Sequence, residues 1–112
     1  MMLLSRAEEI TLITVYKLDG NAYGVTIREQ IYKDIGHYWA FGVIYKTLKK
    51  MNYKKYVRKI TSLPLSERGG RSRYFYELTT EGLAALKEIR SLHSSLWKGV
   101  LIPSYEKRLN RL

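Results

Sequence analysis

The sequence predicts a mainly α-helical domain carrying one small β-hairpin, and three observations carry that prediction. Apolar residues recur three and four apart in successive segments, as the inner face of a helix requires. Between about residues 56 and 78 the pattern changes to a stretch rich in Tyr, Val, Ile and Phe, broken by Pro64 and Gly69-Gly70, which reads as two strands around a turn. The positive charge is concentrated on the helix before that turn and on the hairpin itself. From His37 to Tyr74 ten Lys and Arg face a single acid, Glu67, a local +9 in a chain whose net charge is +10. Solubilising charge would be spread along the chain, whereas charge gathered on one helix and one hairpin fits a footprint for a polyanion such as a nucleic-acid backbone.

Length and composition bound the rest. At 112 residues and 46% hydrophobic, the chain is one domain whose apolar surface a second subunit would help to cover. It has no cysteine, which excludes disulfides, thiolate zinc sites and cysteine nucleophiles. His37 and His93 are the two imidazoles and read as structural. No acid pair, metal-ligand cluster or nucleophile beside a base is apparent, so neither an enzyme nor a cofactor nor a metal is expected. The opening Met1-Met2-Leu3-Leu4 is too short for a signal peptide, and no later run approaches a membrane span. A cytoplasmic protein with no membrane partner is expected.

Ser5 followed by Glu8 fits a capping box, so the first helix should begin there and end near Gly20. Its apolar residues, among them Ile10 and Ile13, surround the axis and imply contacts on two sides. Asp19-Gly20-Asn21 is a turn by composition. Val25, Ile27, Ile31 and Ile35 mark a second helix with Gly36 as C-cap, to which no chemistry is assigned. The third helix begins around Ala40 or Phe41. Phe41, Ile44, Tyr45, Leu48 and Met51 form its inner face, and Val43, Lys46, Thr47 and Lys50 its outer one, with Lys49 at the side. A short helix of this kind fits the B-DNA major groove, about 12 Å wide. The strands are expected at Tyr56 to Leu63 and Arg71 to Leu78. Thr79 should cap a last long helix from Thr80 to about Lys98, with a broad stripe of Leu83, Leu86, Ile89, Leu92, Leu96 and Trp97. That stripe exceeds what the core can cover, so a two-fold homodimer is expected through Ile10, Ile13, Leu86, Ile89, Leu92, Leu96 and Trp97. After Gly99, Pro103 can open a short final helix with Tyr105, Leu109 and Leu112 on one face.

Three helices, a hairpin and a further helix, with the third helix leading into the hairpin, is the order of a winged helix-turn-helix. Over residues 4 to 98 the chain resembles the PadR family of transcriptional regulators, in its short form with one C-terminal helix. The resemblance rests on LSRAEEI at Leu4, AYGVTIRE at Ala22, WAFGVIYKTLKKM at Trp39 and ERGGRSRYFYELTTEGLAAL at Glu67, the last similar to the family's G-R-x-x-x-Y-Y-x-L-T-x-x-G-x-x-x-L signature. Two departures stand out: Lys55 where the family usually has glycine after the third helix, and Thr47 where proline is common.

The resemblance implies a winged helix-turn-helix over residues 1–79 and a dimerisation helix with a short tail over 80–112. It implies a homodimer on double-stranded DNA at a two-fold operator, most often as a repressor, in some members released by a small hydrophobic effector at the dimer interface. Trp97 is the candidate to line such a site. In this reading Lys46, Lys49, Lys50 and Tyr45 contact phosphates, while Trp39, Ala40, Val43 and Thr47 face the groove. Arg68, Gly70, Arg71 and Arg73 belong to the wing. The alternative is an architectural nucleic-acid-binding protein, which shares the basic face but shows little preference among duplexes.

Overall fold

The computed structural model describes residues 3–61 and 74–111. Its elements follow the expected order: α1 Arg6–Leu18, α2 Gly24–Ile35, α3 Phe41–Tyr53, β1 Val57–Thr61, β2 Tyr74–Leu78, α4 Thr80–Trp97 and α5 Ile102–Leu109. The expected wing residues Arg68, Gly70, Arg71 and Arg73 lie outside the described residues, as do the outer ends of both predicted strands and Leu112.

The capping box at the start of α1 is formed: the Ser5 hydroxyl accepts from the Glu8 amide at 3.2 Å, and the Glu8 carboxylate accepts from the Ser5 amide at 2.9 Å. One side of α1 buries Leu12 and Val15, while Ile13 and Tyr16 remain exposed on another, as its two-sided pattern required. After Gly20, the Ala22 carbonyl accepts from the Tyr76 amide at 2.8 Å, so the α1–α2 turn docks against β2. Thr26 stabilises the start of α2 from within, accepting from the Tyr23 amide at 3.0 Å and donating to the Asn21 carbonyl at 2.6 Å. Gly36 closes α2 in the left-handed conformation expected of it. Ile27 and Ile31 are fully buried, whereas Ile35, at the end of the same stripe, is exposed.

The core joins Leu12 and Val15 of α1, Ile27 and Ile31 of α2, and Ile44, Leu48 and Met51 of α3. Ala22, Val57, Tyr76 and Ala85 close it. β1 and β2 pair antiparallel from Val57↔Leu78 to Thr61↔Tyr74, with Val57 and Tyr76 on the buried face. The first half of α4 packs against α1 and β2 and buries Gly82, Ala85 and Ile89. Its second half and all of α5 are largely exposed. Among the described residues, no helix is long and apolar enough to cross a membrane.

α3 ends in a Schellman motif: the Lys55 amide donates to the Asn52 carbonyl at 3.0 Å and the Tyr56 amide to the Met51 carbonyl at 2.9 Å. Lys55 occupies the left-handed position, φ 64°, that glycine usually takes. Thr79 ties this corner to α4. Its hydroxyl donates to the Lys55 carbonyl at 2.5 Å and accepts from the Gly82 amide at 3.0 Å, and its own amide donates to the Tyr56 carbonyl at 3.1 Å. Gly82 lies directly on that Tyr56 carbonyl, where any Cβ would overlap the oxygen.

A second tie runs between helix ends. Lys54, at the end of α3, donates to the Glu8 carboxylate at 2.8 Å, and Glu8 is largely buried. Burial works against the Glu8 carboxylate, but hydrogen bonds from Lys54 and Ser5 together outweigh it and hold its pKa below the ordinary value.

Two predictions follow from these ends. Lys55→Gly relieves the left-handed strain and should stabilise the fold by about 0.5–1 kcal/mol, read as a higher urea midpoint at unchanged slope. Because the Glu8 pKa is depressed on folding, its contribution is present above about pH 4.5, the ordinary value, and is lost as pH falls through the folded value. Glu8→Gln should cost about 1–3 kcal/mol at pH 7 and flatten the acid limb of a stability–pH curve; an unchanged acid limb would contradict the pairing.

Candidate nucleic-acid interface

With about 100° of rotation per residue, burying Ile44, Leu48 and Met51 turns Gly42, Lys46, Lys49 and Tyr53 to the opposite side of α3. All four are exposed, Tyr53 at 88%. Val43 and Lys50 flank one edge of this strip and Tyr45 the other. Lys46, Lys49 and Lys50 make no ion pair among the described residues, so their charge is directed to solvent. A Cβ built at Gly42 meets nothing within 4 Å, which makes it the flattest point of the strip.

Two other cations among the described residues of this region are paired within the fold. Lys54 is held by Glu8, and Arg58 pairs across the hairpin with Glu77. Lys59 lies over the Tyr74 ring, 3.9 Å from its centre. Among the described residues, Lys46, Lys49 and Lys50 thus form a cluster of exposed cations on α3.

The structure rearranges several expected positions. Thr47, expected on the outer face, is buried at 6% exposure, and its hydroxyl donates to the Val43 carbonyl at 2.8 Å. Satisfying the hydroxyl within the helix is what allows a polar residue on the inner side. Tyr45 and Phe41, expected to point inward, are instead partly exposed along the flank, their rings 6.2 Å apart. The Tyr45 hydroxyl rests over Gly24, so a Cβ at that position would require the Tyr45 ring to move. Trp39, expected to face a groove, is half-buried and packed against the core, while Ala40 is exposed at the N-cap. Val43, Lys46, Lys49 and Lys50 are exposed as expected. Gly42 and Tyr53 were absent from the expected set, although helical spacing from Lys46 and Lys49 indicates both.

Of the expected dimer residues, Ile13, Leu96 and Trp97 are exposed, and Leu86 and Leu92 are half-buried. Ile10 is half-buried against the chain's own core, and Ile89 is 9% exposed at the floor of the groove between α1 and α4. Between α1 and α4 runs an open apolar groove of about 450 Å³ lined by Ile13, Tyr16, Leu83, Leu86 and Ile89, with Lys87, Arg90 and His93 at its rim. His93 lies 3.1 Å from the Glu9 carboxylate, a structural contact between the two helices. Trp97 stands one turn beyond the groove, 58% exposed.

Several solved structures resemble this arrangement. A PadR-like transcription factor from Bacteroides fragilis superposes with a TM-score of 0.71 at 20% identity, over 81% of this chain and 82% of that one. The chain has the PadR-type winged-helix fold. A PadR family transcriptional regulator from Eggerthella lenta matches with a TM-score of 0.65 at 20% identity, over 80% of this chain and 76% of that one. A PadR family transcription regulator from Clostridium difficile matches 96% of this winged-helix chain and 97% of its own, with a TM-score of 0.62 at 23% identity. No protein-family model matches the chain, and no curated protein matches it in sequence.

Proposed function

We propose that this protein is a double-stranded-DNA-binding transcriptional regulator of PadR type that uses α3 as its reading helix. The observation that carries the proposal is the outer strip of α3, where Lys46, Lys49 and Lys50 are exposed and, among the described residues, unpaired around the flat position Gly42. An apolar inner face holds the helix to the core while its outer face is basic and free, which is the arrangement a helix needs to lie in a major groove. In this reading Lys46, Lys49 and Lys50 neutralise phosphates and Tyr45 reaches one from the flank. Gly42 and Val43 let the backbone approach the base edges. Arg68, Gly70, Arg71 and Arg73 complete the contact as the wing.

Residues 1–79 form the DNA-binding part in this account, and 80–112 the dimerisation helix and tail. The groove between α1 and α4 supports a homodimer: Ile13, Tyr16 and Leu83 leave an apolar surface that a second copy would cover. Two reading helices related by a two-fold axis then match a two-fold operator, where the protein acts as a repressor in the cytoplasm. Leu96 and Trp97, exposed at the end of α4, supply apolar surface for a small hydrophobic effector.

The test is an anisotropy titration against duplex DNA from immediately upstream of the protein's own gene, with shuffled duplex of equal length as competitor. A preference of about 10³ or more is expected for a specific regulator. With about six to eight cations per dimer on phosphates, log K should fall against log salt with a slope of roughly −5 to −7. Equal binding to both duplexes at that slope would favour an architectural binder, and a nearly flat salt dependence would contradict the phosphate contacts.

A further inference from the structure

The start of α3 has no side-chain cap, because the Ala40 side chain carries no oxygen; the Val43 and Ile44 amides bond to the Ala40 carbonyl at 3.0 and 3.3 Å. The hold on this turn comes from the preceding helix. Arg28 of α2 donates from Nε to the Trp39 carbonyl at 3.1 Å. Its guanidinium carbon lies 4.9 Å from the centre of the Tyr38 ring and 4.6 Å from that of Phe41. Tyr38 in turn stacks on Tyr32 of α2, with ring centres 4.0 Å apart and planes 3° from parallel. One planar cation thus binds the backbone of the turn, the residue before it and the first residue of α3. A lysine cannot reproduce this, because it lacks both the flat face and the fixed Nε–H.

We infer that Arg28 is a positioning residue: by holding Tyr38, Trp39 and Phe41 it sets the angle at which α3 leaves the turn, and so where Lys46 and Lys49 meet a bound duplex. The inference rests on the DNA-binding reading for its functional part, but not for its structural part. Groups that read a surface must be held to within about 0.5 Å, and a reading helix without its own cap depends on whatever fixes its first turn. Arg28 acts through the turn and does not touch the nucleic acid.

The test uses the full chain with Arg28→Lys, Arg28→Gln and Tyr38→Leu, the last removing one ring while leaving the charge unchanged. Hydrogen exchange in the free protein should quicken at the Val43 and Ile44 amides in all three, with the Leu12 and Leu48 amides still protected. Preference for the chosen duplex over shuffled DNA should fall roughly tenfold, while the salt slope stays that of the wild type. Unchanged exchange and unchanged preference in Arg28→Lys and Tyr38→Leu would overturn the inference. A slope shallower by about one per subunit in Arg28→Gln would also overturn it, making Arg28 a phosphate ligand. If the wild type binds no duplex, the DNA reading fails by itself, and the exchange data still decide whether Arg28 holds the turn.

Discussion

The corner between α3 and β1 is the constraint on which the rest of the fold depends. Three elements meet within a few residues there: the Schellman turn at Lys55 and Tyr56 ends α3, β1 starts at Val57, and Thr79 caps α4 at the Gly82 amide while also bonding back to the same turn. The contact is made between backbones. The Tyr56 carbonyl accepts from Thr79 and lies against Gly82, so α4 approaches closer than any side chain at position 82 would allow. Backbone contacts have few alternative arrangements, which gives α3, the hairpin and the α1–α4 groove one fixed relation to each other.

That relation also sorts the charges. The basic run from Lys46 to Lys59 looks uniform in sequence, but the fold divides it by direction. Lys54 turns back to Glu8 and secures α1 to the end of α3, and Arg58 is matched by Glu77 across the ladder. Lys46, Lys49 and Lys50 have no such partner among the described residues and face outward. In the proposed mechanism, part of the positive charge holds the scaffold together and the remainder is presented to the polyanion. A paired, largely buried lysine releases no counterions on binding DNA, so the exposed subset governs the salt dependence.

Much of this was legible in the sequence where the signal is local. The Ser5–Glu8 box, the Gly36 cap and the Thr79 cap are set by neighbours within a few residues, and each formed as its motif predicts. The buried Ile44, Leu48 and Met51 followed from spacing alone. Polarity misled where it was used in place of angle. Thr47 lies about 60° from Ile44 around the helix and Tyr45 about 100°, so the hydroxyl residue is the inner one despite its chemistry. Arg28 could not be found from sequence, because its partners are a carbonyl eleven residues on and two rings beyond a turn. Nor could the burial of Ile89, which depends on how α4 leans on α1.

The central claim is that the outer strip of α3 is where a polyanion binds, and amide chemical-shift mapping during a duplex titration tests it most directly. The account predicts that Gly42, Lys46, Lys49 and Tyr53 shift first and furthest, while the α1–α4 groove responds weakly. Shifts concentrated on Lys87, Arg90 and the α5 cations, with the α3 strip unmoved, would contradict it.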